Sequence, residues 1–208
     1  MLKWAVTVTV IILTAVPAMA FDSQRKGFIL GGGLGLAGTS FKQKLSGGGE
    51  STESETETKP GLLTDFRIGF GPSDQLLLYY FNHVTWFSIE NVLSQDVTIA
   101  NGVGGIGISY YFTPKKTDGG REHLEFSPFT PAWFISGGLG LSSWATPFEE
   151  GSETWSGFGL WFGGGYEFSR HWSVELTIGH GNPSKTSGGF KAESNSTTFG
   201  VSITGLAY

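Results

Sequence analysis

From Gly27 to the C-terminus the chain alternates apolar with small or polar residues at a period of two, which places successive side chains on opposite faces of a β-strand. Eight segments carry the pattern: about Gly27–Gly38, Leu62–Phe70, Asp74–Phe87, Val97–Phe112, about Phe129–Trp144, Trp155–Phe168, Trp172–His180 and about Ser196–Tyr208. In the first, Phe28, Leu30, Leu34 and Leu36 share one face, while Ile29, Gly31, Gly33, Gly35 and Ala37 share the other. In the sixth, Phe158, Leu160, Phe162, Tyr166 and Phe168 oppose Gly157, Gly159, Trp161, Gly163, Gly165 and Glu167. Most segments exceed the usual strand of about 5 to 6 residues and reach the roughly 9 to 11 that cross a bilayer when tilted.

Two segments change phase. In the fourth, Val97, Ile99 and Val103 give way to Ile106, Ile108, Tyr110 and Phe112; in the eighth, Phe199, Val201 and Ile203 give way to Leu206 and Tyr208. A glycine bulge near Gly104–Gly105 and another near Thr204–Gly205 are the expected causes. The stretch Gly33–Gly38, GLGLAG, fits a dinucleotide-binding G-x-G-x-x-G, but that motif needs a following helix, and here a polar segment of Thr, Ser, Lys and Glu follows. The near repeat GGLGLS at Gly137–Ser142 places both stretches in alternating strands.

Connections alternate in length. Gly71-Pro72-Ser73 and Ser169-Arg170-His171 read as tight turns at one end of the strands, joined there by the longer Thr113–Ser127. About Thr39–Gly61, Ser88–Asp96, Ala145–Thr154 and Gly181–Asn195 read as loops at the other end. The first of these holds Glu50, Glu53, Glu55 and Glu57 among Ser and Thr, a composition that cannot bury a core, and it is expected to be a solvated, mobile loop. An acidic docking surface or a weak divalent-cation site is the alternative there.

Composition changes the picture in three ways. The N-terminal MLKWAVTVTVIILTAVPAMA has one basic residue, a short apolar run and Ala18-Met19-Ala20, the form of a secretory signal peptide, so residues 1–20 are expected to be removed and 21–208 to form one domain. Removal leaves twelve basic against eighteen acidic residues, a charge of −6, which argues against a nucleic-acid partner. There is no cysteine, and charged residues make up 15% of the chain where about 25% is typical. So few charges cannot cover a soluble exterior.

The apolar face is therefore expected to point outward into lipid and the Gly/Ser face inward, giving an all-β, eight-stranded antiparallel transmembrane barrel. An Arg67 facing lipid at mid-depth would cost about 2–4 kcal/mol. Turned inward, Arg67 can pair with Asp65, Glu167 or Glu175, and these with His83 form an expected polar cluster plugging a bore that eight strands leave narrow. Aromatic residues at segment ends, Trp86, Phe87, Tyr110–Phe112, Trp144, Trp155, Phe168, Trp172 and Tyr208, are expected to form interfacial girdles.

With its leader, eight alternating segments, short and long connections and closing FGVSITGLAY, the whole mature chain resembles the small eight-stranded outer-membrane proteins of Gram-negative bacteria, of the OmpA transmembrane-domain, OmpX and OmpW kind. The resemblance implies an outer-membrane location with both termini periplasmic and short periplasmic turns. It implies outer-membrane lipid and lipopolysaccharide as surroundings, an extracellular ligand of unknown kind, and a monomer. It also implies recognition of a terminal aromatic strand by the barrel assembly machinery, at Leu206 and Tyr208.

Chemistry is sparse. Lipid A deacylases of similar architecture carry a His and a Ser two residues apart near the outer end of a late strand; here His180 is followed by Asn182, and Ser184 lies beyond Pro183, with Glu193 across the loop. A Ser-His-Glu set of His180, Ser184 and Glu193 stays a minor alternative. The four histidines do not converge on a metal site, and no cofactor is expected. The leading expectation is a non-enzymatic structural or surface-interaction role. Transport of small hydrophobic molecules, a role associated with OmpW-like proteins, is the other alternative: bore glycines could leave a cavity that Tyr79, Phe81, Phe134 and Trp161 only partly fill.

Overall fold

The computed structural model describes residues 25–90, 96–112, 131–149 and 151–208. The expected leader at 1–20, the connection 113–127 and His123 lie outside the described residues. Among the described residues ten strands run β1 (Gly27–Gly47), β2 (Glu50–Glu53), β3 (Glu57–Gly71), β4 (Leu76–Glu90), β5 (Asp96–Phe112), β6 (Ala132–Ala145), β7 (Thr154–Ser169), β8 (Trp172–Gly181), β9 (Ser184–Ser187) and β10 (Phe190–Ala207). Eight of them pair antiparallel in the order β1-β3-β4-β5-β6-β7-β8-β10, and β10 pairs back onto β1. The sheet closes on itself, which leaves the barrel wall without an edge to pair with other chains.

Burial follows parity around the wall. Leu34, Leu36, Ile106, Leu139, Leu141 and Leu176 are exposed on the outer surface, whereas Ile29, Leu77, Phe81 and Trp161 are buried within. An apolar belt outside and a packed bore inside is the arrangement of a membrane-spanning barrel. One rim gathers the chain ends and the turns after β3 and β7. There the turn Arg170–His171 is made by His171 in the left-handed region at φ 73°, beside a register shift between Glu167 and Ser169. This is the terminal rim; the opposite one is the loop rim.

Both expected glycine bulges are absent. β5 pairs with β4 from Tyr110 to Asp96 and with β6 from Phe112 to Ala100 without a register shift, and β10 pairs continuously with β1 and β8. The phase changes have a different physical origin: the bore itself turns apolar at its two ends. Val97 and Ile99 face inward near the loop rim with Phe41, Phe87 and Trp144, while Leu206 and Tyr208 face inward at the terminal rim. An apolar residue marks the lipid face only where the bore is polar.

The expected girdle divides for the same reason. Tyr110, Phe112, Phe168 and Trp172 are exposed on the outer surface, but Phe87, Tyr111, Trp144 and Tyr208 are buried in the bore.

The connection expected from about Thr39 to Gly61 is largely strand rather than loop. β1 continues to Gly47, turns through Gly48–Gly49 at φ 61° and 89°, and returns as β2; on the other side Gly188–Gly189, at φ 58° and 83°, joins β9 to β10. Two-residue turns with both φ positive match the right-handed twist of a hairpin, and glycine enters that region without steric cost. Because β1 and β10 stay paired as far as Gly47–Phe190, the two hairpins merge into a four-stranded sheet, β2-β1-β10-β9, standing above the loop rim. The acidic segment buries no core, as its composition requires, yet Lys42–Glu53 and Lys191–Glu193 ion pairs at 2.9 and 2.6 Å lace the ladder.

Candidate functional site

The bore is filled in storeys. At the loop rim Phe41, Phe87 and Trp144 form an aromatic roof, with Phe41 and Phe87 stacked at 5.7 Å and Phe41 and Trp144 at 4.9 Å between ring centroids. Below the roof Thr39, Asn101, Ser142, Ser196 and Thr198 supply hydroxyls and an amide. Thr39 and Thr198 hydroxyls lie 2.9 Å apart, and Asn101 Nδ2 donates to Ser196 Oγ at 3.1 Å. Asn101, Ser196 and Thr198, with His83, Thr85 and Trp161, border a chamber with room of about 30 Å³.

At mid-depth stands Arg67, carried by β3 and turned inward by the alternation of Leu63, Asp65 and Arg67. Its Nε lies 2.8 Å from Asp65 Oδ2, an ion contact without the alignment of a hydrogen bond. Its Nη2 donates to Glu175 Oε2, and Ser136 donates to Glu175 Oε1 at 2.6 Å. His83 Nε2 lies 3.3 Å from Asp65 Oδ1. The guanidinium also faces the rings of Tyr79 and Trp161 at 5.4 and 5.3 Å, within cation–π range. Asp65, Arg67, His83 and Glu175 therefore meet as one cluster.

Glu167 does not belong to it. Near the terminal rim Glu167 accepts from Arg25 Nε at 2.9 Å and from the Tyr208 hydroxyl at 2.9 Å, and Arg25 packs 4.0 Å from the Tyr111 ring centre. Arg25 precedes β1, so no strand alternation marks it, and sequence reasoning passed over it. A surplus of buried carboxylates over basic groups in the segments was the one signal that could have found it. Leu206 and Tyr208 lie in the bore beside this second cluster.

The bare positions of the bore are sockets for the rings opposite. A Cβ at Gly138 would stand 2.5 Å from the Phe81 ring and 2.7 Å from Trp161 Nε1; one at Gly107 would stand 2.6 Å from Tyr79, and one at Gly165 2.5 Å from Phe134. Tyr79, Phe81, Phe134 and Trp161, expected to fill a cavity only in part, are all buried.

The hydrolase candidates stay apart. His180 faces outward and its Nδ1 lies 3.0 Å from Thr197 Oγ1, while Glu193 is held by Lys191. The Lys191 hydrogen bond holds the Glu193 carboxyl below its ordinary range, and Lys185 and Trp155 do the same for Glu153. Ser184 pairs with Glu193 only as backbone neighbours across the β9–β10 hairpin. Among the described residues no group of three or more His, Asp or Glu side chains is placed to hold a metal ion.

No protein-family model matches the chain, and no curated protein does. Among solved structures it is similar to the outer membrane protein OprG from Pseudomonas aeruginosa, with 12% identity over 88% of this chain and 97% of that one and a TM-score of 0.45. It is also similar to AlkL, an outer membrane protein solved in lipid bilayers, with 12% identity over 88% of this chain and 91% of that one and a TM-score of 0.47. Ail, the attachment invasion locus protein of Yersinia pestis, shows 12% identity over 86% of this chain and 99% of itself, with a TM-score of 0.38. The barrel architecture stated above rests on this chain's own strand pairing, not on these likenesses.

Proposed function

We propose that this protein is a non-enzymatic, monomeric barrel of the bacterial outer membrane, with both termini in the periplasm and a structural or surface-interaction role. The observation that carries the reading is the occupied bore beneath a raised sheet: Phe81, Arg67 and Trp161 are 0%, 4% and 2% exposed at mid-depth, and the four strands β2-β1-β10-β9 stand above the opposite rim. A barrel so filled offers its belt to lipid and lipopolysaccharide and its raised sheet to an extracellular partner. The sockets taken up by Tyr79, Phe81, Phe134 and Trp161 favour this over transport through the wall. Separate partners for His180 and Glu193 favour it over ester hydrolysis. Leu206 and Tyr208 keep their place as a signal for the assembly machinery, since an inward side chain is accessible only before the barrel closes.

Two measurements test it. Planar-bilayer recording of the refolded protein is expected to give no steady conductance, and a stable open level would contradict the sealed bore. An epitope inserted between Gly48 and Gly49 is expected to bind antibody on intact cells; detection only after outer-membrane permeabilisation would reverse the orientation.

A further inference from the structure

Among the described residues the bore buries three carboxylates, Asp65, Glu167 and Glu175, and two guanidiniums, Arg25 and Arg67. Arg25 and Tyr208 engage Glu167 at the terminal rim. Arg67 alone therefore answers both Asp65 and Glu175. The other titratable groups near this cluster are Tyr79 and His83 from β4 and Tyr111 from β5. The Tyr79 hydroxyl is joined to Ser109 Oγ at 2.7 Å, and Tyr111 lies under Arg25. β6 contributes the Ser136 hydroxyl, β7 the Trp161 ring and β10 the Ser202 and Thr204 hydroxyls; β1 presents Gly31 and Gly33. None of these carries a charge.

With a neutral His83, the mid-depth cluster holds one surplus negative charge away from water, where an unpaired charge is strongly disfavoured. Its geometry shows where a compensating proton fits. His83 Nε2 and Asp65 Oδ1 lie 3.3 Å apart, and both are buried without another hydrogen-bond partner. A neutral imidazole with its proton on Nε2 satisfies this contact yet leaves the surplus charge in place, so the charge balance calls for one proton more on the pair. Polar space adjoins the pair: His83 and Trp161 border the chamber of about 30 Å³, room enough for about two waters. Trp161 Nε1, on the chamber wall, has no protein partner.

We propose that the Arg67 cluster is a proton-binding site, occupied at neutral pH by one proton between His83 Nε2 and Asp65 Oδ1 that exchanges through the hydrated chamber. The proton belongs to the pair, which is an imidazolium with a carboxylate or an imidazole with a carboxylic acid. Its arrival makes the mid-depth plug electroneutral. Its loss leaves Asp65 and Glu175 sharing one guanidinium.

The test is equilibrium unfolding of the refolded, detergent-bound protein as a function of pH. In the unfolded chain His83 and Asp65 titrate near about 6.5 and about 3.9, so above about pH 7 the native state holds one proton more than the unfolded state. Because that proton is released on unfolding, the site's contribution to stability falls as pH rises. The unfolding equilibrium constant is expected to increase roughly tenfold per pH unit between about pH 7 and about pH 9. Asp65→Asn removes the surplus charge and should flatten this dependence; Glu175→Gln removes it from the other side and should do the same. A wild-type profile that is flat, or slopes equal in the wild type and a folded variant, would overturn the proposal. So would failure of both variants to fold, since each leaves one guanidinium matched to one carboxylate.

Discussion

At the scale of single residues, the bore glycines and the aromatic rings are one device. Gly138 gives up its side chain so that Phe81 and Trp161 can cross the bore, and Gly107 does so for Tyr79. Gly138→Val should therefore cost about 1–3 kcal/mol in urea unfolding, the usual penalty for overpacking a filled core. Gly38 is the control: a Cβ there meets nothing within 4 Å, and Gly38→Ala should fall within about 0.5 kcal/mol of the wild type or stabilise it slightly. Tyr208 gives a second test at this scale. Removing its hydroxyl as Tyr208→Phe withdraws a donor from buried Glu167, with an expected loss of about 1–3 kcal/mol that leaves strand content unchanged by circular dichroism.

At the scale of elements, the sequence made the strands legible and hid their ends. Alternation located all eight wall strands, because lipid outside and Gly/Ser inside make the two faces chemically different. It misread the phase where both faces are apolar: Val97 and Ile99 belong to the roof, and Leu206 to the terminal cluster, so no bulge is needed. The extensions of β1 and β10 were illegible for a different reason. Lys42–Gly47 and Phe190–Asn195 are held by backbone ladder bonds and ion pairs, which leave no hydrophobic period. The local signal was the pair of glycine doublets at Gly48–Gly49 and Gly188–Gly189. Replacing Gly48 and Gly49 by alanine forces two Cβ atoms into the left-handed region at about 1–2 kcal/mol each. Faster hydrogen exchange over β2 with an unchanged barrel melting point is the expected result.

At the scale of the whole molecule, two ion clusters join strands distant in sequence. Arg67 links β3 to β8, and Glu167 links β7 to both Arg25, two positions ahead of β1, and Tyr208. The segments announced the inward charges, because Arg67, Asp65, Glu167 and Glu175 all share parity with glycines. Which of them meet was not legible, since partnership depends on the stagger of strands around the closed wall. Arg67→Met would leave two carboxylates without a guanidinium and should destabilise the barrel by about 3–5 kcal/mol, the range for breaking a buried pair. The same storeys that hold the wall together fill the bore, so stability and the expected lack of conductance have one cause here.

The central claim is that the apolar face of a closed eight-stranded wall meets lipid while the Gly/Ser face is packed inside. Because the chain has no cysteine, single-cysteine variants can be spin-labelled without background. The most direct measurement is collision of such labels with lipid-dissolved oxygen, in the refolded protein in vesicles, along β6. Labels at Ile135, Leu139 and Leu141 are predicted to show high oxygen accessibility and those at Ser136 and Ser142 low accessibility, a period of two. The reversed parity, or uniform accessibility along the strand, would contradict the account.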